Sequence, residues 1–142
     1  MPFADLLHVS TLTVSTVGAD GEPHAAPVYF VATDDLRLYF FSDPASQHAQ
    51  DFSHDPRAAA ALYPECEGWE EIRGLQMRGV LSLVQPGLEW DTAWRHYQEK
   101  FPFVTEFQAV VAVNELYVFV PRWIRWIDNR RGFGFKEEWT LT

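Results

Sequence analysis

Alternation of apolar and polar residues through the first two-thirds of the chain predicts a fold built mainly of β-strands. Residues 11–17 place Leu12 and Val14 on one side and Thr13 and Ser15 on the other, which is the period of a strand with one buried face. Turn residues recur about every ten positions, a spacing typical of β-sandwiches and barrels. Six further segments have strand patterns: residues 24–32, 36–41, 57–63, 73–84, 116–120 and 123–128.

Prolines and glycines modify this pattern. Pro27 cannot donate a ladder hydrogen bond, so it indicates an edge or a bulge in the second strand. The alanine-rich segment 57–63 is helix-prone by propensity, but its position between two prolines favours a short buried strand. The Pro-Arg pair at 121–122 is expected to separate the last two strands, and the glycine-rich tail 130–139 to be irregular.

Three helices are predicted between the strands. The first begins after Ser46, a good N-cap, and ends before the Asp-Pro pair at 55–56, because a residue that precedes proline disfavours helical backbone. The second covers residues 87–101, where large apolar side chains fall on one stripe, and a short third helix lies near residues 105–112. These elements predict a single mainly β domain over residues 1–142, a β-barrel with a few helices.

Composition and charge narrow the possible functions. The 142 residues include 11 Lys and Arg against 20 Asp and Glu, a formal net charge of -9, which argues against general binding to nucleic acids or anionic membranes. No apolar run approaches the roughly 20 residues needed to cross a bilayer. The N-terminus lacks the pattern of a secretory signal, so a cytoplasmic protein is expected.

Side chains that bind metals are sparse. The single cysteine, Cys66, excludes a disulfide framework and any multi-cysteine metal site within one chain. The five histidines have no zinc-binding spacing, so no metal is expected.

Near the C-terminus, five of the eleven basic residues lie within fifteen positions. They are Arg122, Arg125, Arg130, Arg131 and Lys136. Guanidinium groups match carboxylate and phosphate geometry through paired donors, so this basic corner predicts a site for a small phosphorylated ligand. The alternative is that these residues pair with the acidic surface, for example the glutamates at 65, 67, 70 and 71, or with a second subunit.

Two tryptophans interleave with these arginines. Trp123 and Trp126 would offer flat apolar surfaces beside the cations of Arg122 and Arg125, as a planar ligand with a charged tail requires. The alternative is that either tryptophan belongs to the core or to a dimer interface.

The start of the first helix is a second candidate anion site. Ser46, Gln47 and His48 follow a strand and open the helix, where free N–H groups and the positive end of the helix dipole attract phosphate. The alternative is that Ser46 only caps the helix and that His48 is a solvated helix residue.

The order of a strand, a Gly-containing hairpin, a Pro-bearing strand, a further strand and a Ser-x-His helix resembles the pyridoxamine 5'-phosphate oxidase-like FMN-binding split barrels. The chain is most similar to a small, largely uncharacterised bacterial branch of that family. The motifs that carry this likeness are His48-Ala49-Gln50, Ile72-Arg73-Gly74-Leu75-Gln76, Lys100-Phe101-Pro102, and Asp128-Asn129 with Gly132-Phe133-Gly134. The resemblance implies a six- to seven-stranded Greek-key split barrel and a homodimer whose interface holds FMN.

The same resemblance assigns cofactor-binding positions. Phe41 and Ser42 match a Tyr-Thr pair near the flavin, and Ser46-Gln47-His48 matches a Ser-Arg-Lys phosphate grip, with Gln47 and His48 in place of two permanent cations. Gln76 or Gly74 lies near the position of a flavin-contacting Gln. Arg125-Trp126-Ile127-Asp128 resembles part of an Arg-Leu-His-Asp substrate motif, which adds Arg125 and Trp126 to the set. No side chain is assigned a catalytic role.

The sequence therefore favours an FMN-binding oxidoreductase that acts on an unknown small molecule. One alternative is a flavin- or haem-binding protein without turnover, in which His24, His48 or His96 could supply an axial ligand. Another is a cofactor-free, dimeric ligand-binding barrel.

Overall fold

The computed structural model describes residues 1–141 and contains eight strands and three α-helices in that part of the chain. The strands are β1 (Thr11–Val17), β2 (Pro23–Tyr29), β3 (Val31–Ala32), β4 (Leu38–Ser42), β5 (Arg57–Leu62), β6 (Arg73–Leu83), β7 (Glu115–Asp128) and β8 (Lys136–Thr140). The α-helices are α1 (Gln47–His54), α2 (Leu88–Lys100) and α3 (Gln108–Ala112). Short 3₁₀-helices cover Ala4–His8, Trp69–Glu71, Pro102–Phe107 and Asn129–Arg131.

All eight strands belong to one antiparallel sheet that curls round onto itself. Its order is β2-β1-β5-β6-β7-β4-β3, and β8 pairs with β7 beside this path. The first and last strands in that order, β2 and β3, are consecutive stretches of chain separated only by Phe30. The barrel therefore closes through one bent strand. After β1, the bent strand β2–β3 and β4, the chain returns in β5 beside β1, which makes the topology a Greek key. The expected mainly β split barrel is confirmed.

The barrel interior is filled by the inward-facing side chains of all the long strands. Leu12 and Val14 on β1 are 2% exposed or less, as are Met77 on β6 and Ile124 on β7. This agrees with the alternation read from β1, because successive strand residues point to opposite faces.

Strand β7 runs through Pro121 and Arg122 without a break, so the predicted separation of two strands is wrong. Its register with β6 shifts between Arg78 and Gly79. One residue on β7 is therefore extra, which makes this a β-bulge, a place where a paired strand tolerates proline. Gly79 is required here, since a Cβ atom would lie 2.1 Å from the Val120 carbonyl oxygen.

The bulge also reverses which residues of β7 face outward. Before it, Leu116 and Val118 lie outside the barrel against α2. After it, Ile124 and Trp126 lie inside the barrel. Odd-numbered residues therefore take the outer face in the second half of the strand.

Towards the C-terminus the tail is more regular than predicted. Strand β8 pairs with residues 123–127 of β7, and the irregular backbone is limited to the preceding loop, where Gly132 and Gly134 have positive φ. Glycine adopts positive φ more readily than other residues, and the strand β8 that follows this loop is regular. The predicted helix near 105–112 is divided into a 3₁₀-helix, Pro102–Phe107, and α3.

Outside the barrel, the sheet has one covered and one open region. Helix α2 packs Ala93 and Tyr97 over β4 and the first half of β7, together with Phe101 just after the helix; we call this the covered face. Apart from Gly74, the outward residues of β1, β2, β5, β6 and the second half of β7 remain at least partly exposed; we call this the open face. No helix within residues 1–141 is long and apolar enough to span a membrane.

Candidate functional site

Three of the predicted cofactor-binding side chains come together at the start of α1. The Ser42 Oγ atom lies 2.6 Å from His48 Nε2, and Ser46 Oγ lies 3.2 Å from the same nitrogen. Ser46 also caps the helix, because its Oγ accepts from the backbone N–H of Ala49 at 3.4 Å. All three side chains are half-buried. We call Ser42, Ser46 and His48 the α1 cluster.

This cluster has hydrogen-bond donors but no permanent cation. Burial lowers the pKa of His48 below its usual value, and the Asp51 carboxylate offsets part of that effect. The imidazole is therefore neutral at pH 7. The remaining donors are the two hydroxyl groups and the first-turn N–H groups, which helix geometry leaves without partners inside the helix.

Gln47 is directed away from the cluster. Its Nε2 donates to Asp51 Oδ1 at 2.8 Å, so its amide serves the buried carboxylate rather than the helix start. The expectation that Gln47 contributes to the same anion site as His48 is not met by its side chain.

The Asp51 network is a feature that the sequence analysis missed. The buried Asp51 carboxylate also accepts from Thr16 Oγ1 at 2.7 Å and lies 2.8 Å from His24 Nδ1. Burial alone would raise the pKa of Asp51, but the hydrogen bonds from Thr16, Gln47 and His24 outweigh it and hold the pKa below its usual value. A signal was present, since Thr16 continues the inward-facing series of Leu12 on β1.

Phe41 and Ser42 point to opposite sides of β4, as adjacent strand residues must. The Phe41 ring makes edge-on contacts with Trp90, Trp94 and Tyr97 of α2, with centroids 5.2–5.9 Å apart. It belongs to the core of the covered face, and the structure does not place it with the α1 cluster.

Gln76 and Arg125 are neighbours on the open face. They are register partners on β6 and β7, and Arg125 Nη1 donates to Gln76 Oε1 at 3.3 Å. Arg125 Nε also donates to Glu138 on β8 at 2.7 Å. Within residues 1–141 no hydrogen bond or ion pair joins this pair to the α1 cluster.

Trp126 is a core residue, which corrects its assignment as an exposed cofactor-binding surface. It is 4% exposed, its ring stacks on Trp139 with centroids 6.5 Å apart, and Phe135 meets it edge-on at 5.3 Å. The β-bulge explains the error, because it moves even-numbered residues of β7 inside the barrel. Trp123 lies on the open face instead.

The basic corner is partly neutralised by pairing within the chain. Arg130 binds the Asp128 carboxylate through Nε and Nη2 at 3.0 and 2.8 Å, and Arg125 pairs with Glu138. The alternative of pairing with acidic residues is therefore correct for these two arginines, with other partners than the glutamates at 65–71.

Small side chains give the open face a flat floor. Across the sheet, Pro27, Thr13 and Ala61 lie in one row with Gln76 and Arg125. The next row begins at Ala25 and ends at Trp123 and Thr140 on the far strands. This floor of small side chains is limited to β1, β2 and β5, because the longer side chains of Gln76, Arg78, Trp123 and Arg125 occupy the same rows on β6 and β7.

A groove lies elsewhere on the chain, away from these residues. This groove of about 1000 Å³ runs between the N-terminal 3₁₀-helix, the β3–β4 turn and α2, and it contains none of the predicted cofactor-binding residues. Residues 1–141 also contain no group of three or more His, Cys, Asp or Glu side chains that could hold a metal ion.

Comparison with known proteins gives one family match and several relatives. The family described as pyridoxamine 5'-phosphate oxidase matches residues 4–125. A UPF0306 protein of Enterobacter sp. (strain 638) is 27% identical over 111 residues, covering 78% of this chain and 74% of that protein. A pyridoxine/pyridoxamine 5'-phosphate oxidase of Burkholderia vietnamiensis is 38% identical over 80 residues, but the match covers only 56% of this chain and 35% of that enzyme.

Solved structures share the fold at low identity. A conserved hypothetical protein from Mycobacterium tuberculosis superposes with a TM-score of 0.79 at 21% identity, covering 92% of this chain and 84% of that one. A heme binding protein from Mycobacterium smegmatis gives 0.77 at 19% identity, covering 94% and 53%. At such identities the likeness concerns the fold alone.

Proposed function

Because the chain belongs to the pyridoxamine 5'-phosphate oxidase family, we propose that it binds FMN and is an oxidoreductase that acts on a small molecule. The observation that carries the proposal is the α1 cluster, in which two hydroxyl groups and an imidazole meet at the start of a helix. This is the donor set that a phosphate monoester takes.

The residues present fit FMN with two departures from the family pattern, since neither Gln47 nor His48 is a permanent cation and Gln47 binds Asp51 instead. The hydroxyls of Ser42 and Ser46 and the first-turn N–H groups would hold the phosphate. The floor of small side chains would accept the ring system, and Gln76 with Arg125 would supply hydrogen bonds at its edge. His48 replaces a permanent cation, so FMN affinity should rise as the pH falls and the imidazole becomes charged.

Bound FMN would supply the electron transfer, and the chain's own residues would bind and orient it. The α1 cluster would fix the phosphate, and the Asp51 network would fix α1 itself by tying its first turn to β1 and β2 through Gln47, Thr16 and His24.

The proposal includes a homodimer. The ring-binding and phosphate-binding residues make no contact within one chain, and the open face carries no cover. In a two-fold dimer the same face of each copy meets the other, so a second copy would shield the cofactor from water. Sedimentation of the flavin-loaded protein at two concentrations tests this directly.

Titration of flavin-free protein with FMN and with riboflavin tests the cofactor assignment. FMN should bind at least about tenfold more tightly, which corresponds to about 1.4 kcal/mol for the phosphate contacts. Ser42→Ala and His48→Ala should weaken FMN binding and leave riboflavin binding unchanged. Ser53→Ala is the matched control, because Ser53 lies on α1 with its hydroxyl bonded to the Gln50 carbonyl. Equal affinities for FMN and riboflavin would exclude this phosphate site.

Turnover needs its own measurement. The FMN-loaded protein is mixed anaerobically with reduced nicotinamide donors, and the flavin absorbance is followed before and after air is admitted. Reduction followed by reoxidation supports an oxidoreductase. A flavin that binds but is not reduced by any donor supports a flavin-binding protein without turnover.

Haem binding is a second candidate, favoured by His24. Its Nδ1 is held by Asp51, which fixes the ring, and its Nε2 makes no hydrogen bond to residues 1–141. An imidazole oriented by a carboxylate in this way is a good axial ligand. A Soret band on haem titration that disappears in His24→Ala would support haem over FMN.

A further inference from the structure

Two arginine side chains stack on one indole ring of the open face. The Arg78 guanidinium carbon lies 4.2 Å from the centroid of the Trp123 ring, and that of Arg125 lies 4.9 Å from the same ring. Cations within about 6 Å of an indole face are attracted by its quadrupole. The indole therefore brings two like charges together on a strongly acidic protein.

The backbone fixes this arrangement. Arg78 and Trp123 are register partners on β6 and β7, directly beside the bulge at Arg122. Bulges redirect the side chains next to them, and here the bulge places Trp123 and Arg125 on the same outer face as Arg78. The three side chains share that face because of strand register and not through long flexible loops.

The two arginines differ in how their charge is balanced. Arg125 bonds to Glu138 and Gln76. Arg78 is exposed and makes no hydrogen bond or ion pair with any of residues 1–141. The two guanidinium groups lie no further apart than about one Debye length, roughly 8–10 Å at physiological ionic strength. Glu138 balances the charge of Arg125, whereas the charge of Arg78 has no acidic partner among residues 1–141 and could be balanced by a bound anion.

The neighbouring strands leave room beside Arg78. Its register partner on β5 is Ala59, and the partner of Ala59 on β1 is Ser15. Neither side chain is long enough to reach the guanidinium group. Arg78 therefore stands at the edge of the flat floor with its donors free.

We propose that Arg78, positioned by Trp123 and assisted by Arg125, binds the anionic group of a small planar molecule that lies on this floor. The group is a carboxylate or a phosphate, both of which accept paired hydrogen bonds from a guanidinium. The identification of this molecule as the substrate rests on the proposed function. The anion site itself does not, because Arg78 and Trp123 are not among the residues assigned to FMN and only Arg125 is shared.

NMR titration of the flavin-free protein tests the site. The probes are inorganic phosphate, benzoate and the neutral isostere benzamide, and the readout is the Trp123 indole N–H signal, assigned with Trp123→Phe. We expect saturable shifts with at least one anion and at least about tenfold weaker binding of benzamide. Saturation by benzoate alone identifies a carboxylate site, and saturation by phosphate alone identifies a phosphate site. Equal effects of benzoate and benzamide, with no saturation by phosphate, would overturn the proposal.

Charge-matched variants separate a specific site from a general electrostatic effect. Arg78→Gln should weaken anion binding about tenfold or more, and Arg78→Lys should restore it only in part, because lysine lacks the paired donors. Arg95→Gln removes one exposed charge from α2 and should leave binding unchanged. Equal losses in Arg78→Gln and Arg95→Gln would show that Arg78 only stacks on Trp123.

The same variants distinguish this inference from the proposed function. FMN affinity should be unchanged in Arg78→Gln. If the wild-type protein binds anions through Arg78 but does not bind FMN, the anion site stands and the proposed function fails. If Arg78→Gln abolishes FMN binding, Arg78 belongs to the cofactor site, and its assignment to a second molecule is wrong.

Discussion

The covered and open faces of the barrel are both outer sides of the same sheet, but they differ in burial, in side-chain size and in charge. The covered face carries Tyr39 and Val118 and is closed by the aromatic side chains of α2. The open face carries alanines, small polar residues and stacked arginines. Strand β7 contributes to both faces, and its bulge marks the boundary between them. The sheet therefore has one outer region buried under α2 and another that stays partly exposed.

The largest expected difference in stability is between the alanine variants of two tryptophans on β7. Trp126→Ala should lower the free energy of unfolding by about 3–5 kcal/mol, since it removes a fully packed core ring. Trp123→Ala should cost about 1 kcal/mol or less, because its ring lies on the open face and packs mainly against arginines. Urea unfolding of both variants measures the difference, and similar losses would contradict the inward and outward assignments.

A smaller loss of stability is expected from a substitution at the C-terminal end of α2, where Lys100 attaches the helix to the barrel. Lys100 Nζ donates to the carbonyl oxygens of Leu7, Val9 and Phe30 at 3.3, 2.7 and 2.8 Å. Lys100→Met should destabilise the protein by about 1–3 kcal/mol, because three partly buried carbonyl oxygens lose their donor. Lys136→Met on the exposed strand β8 is the control and should change stability by less than about 0.5 kcal/mol. If the two variants unfold at the same urea concentration, Lys100 does not fasten α2.

The smallest expected effect is a change of stability with pH that arises from the protonation of His48. Its pKa is lowered by burial, so between that value and about 6.5 the unfolded chain binds more protons than the folded one. Stability should therefore fall as the pH drops below about 6.5, by an amount that His48→Asn abolishes. Thermal unfolding at several pH values, with His54→Asn as the control on the same helix, measures this. An unchanged pH dependence in His48→Asn would show that His48 is not buried as a neutral imidazole.

Much of the fold could be predicted because it is determined by residues that are close together in the sequence. The alternation in β1 and the Ser46 cap set their elements without help from distant parts of the chain. The continuity of β7 could not be predicted, because it depends on the fit of Gly79 against Val120 across two strands. Trp126 was misplaced for the same reason, since the bulge reverses the alternation that a single strand suggests.

The site was predictable only in part. Ser42, Ser46 and His48 are close in sequence, and a strand followed by a helix brings them together. The ties of Asp51 to Thr16 and His24, and the stack of Arg78 on Trp123, depend on partners that are far apart in the chain. No spacing in the sequence reveals such contacts.

The most direct test of the account is the visible absorption spectrum of the freshly purified protein, before and after FMN is added and the excess removed. The account predicts flavin bands that remain with the protein at about one FMN per chain and that Ser42→Ala weakens. A protein that stays colourless after incubation with FMN, or that retains haem in preference to it, would contradict the account.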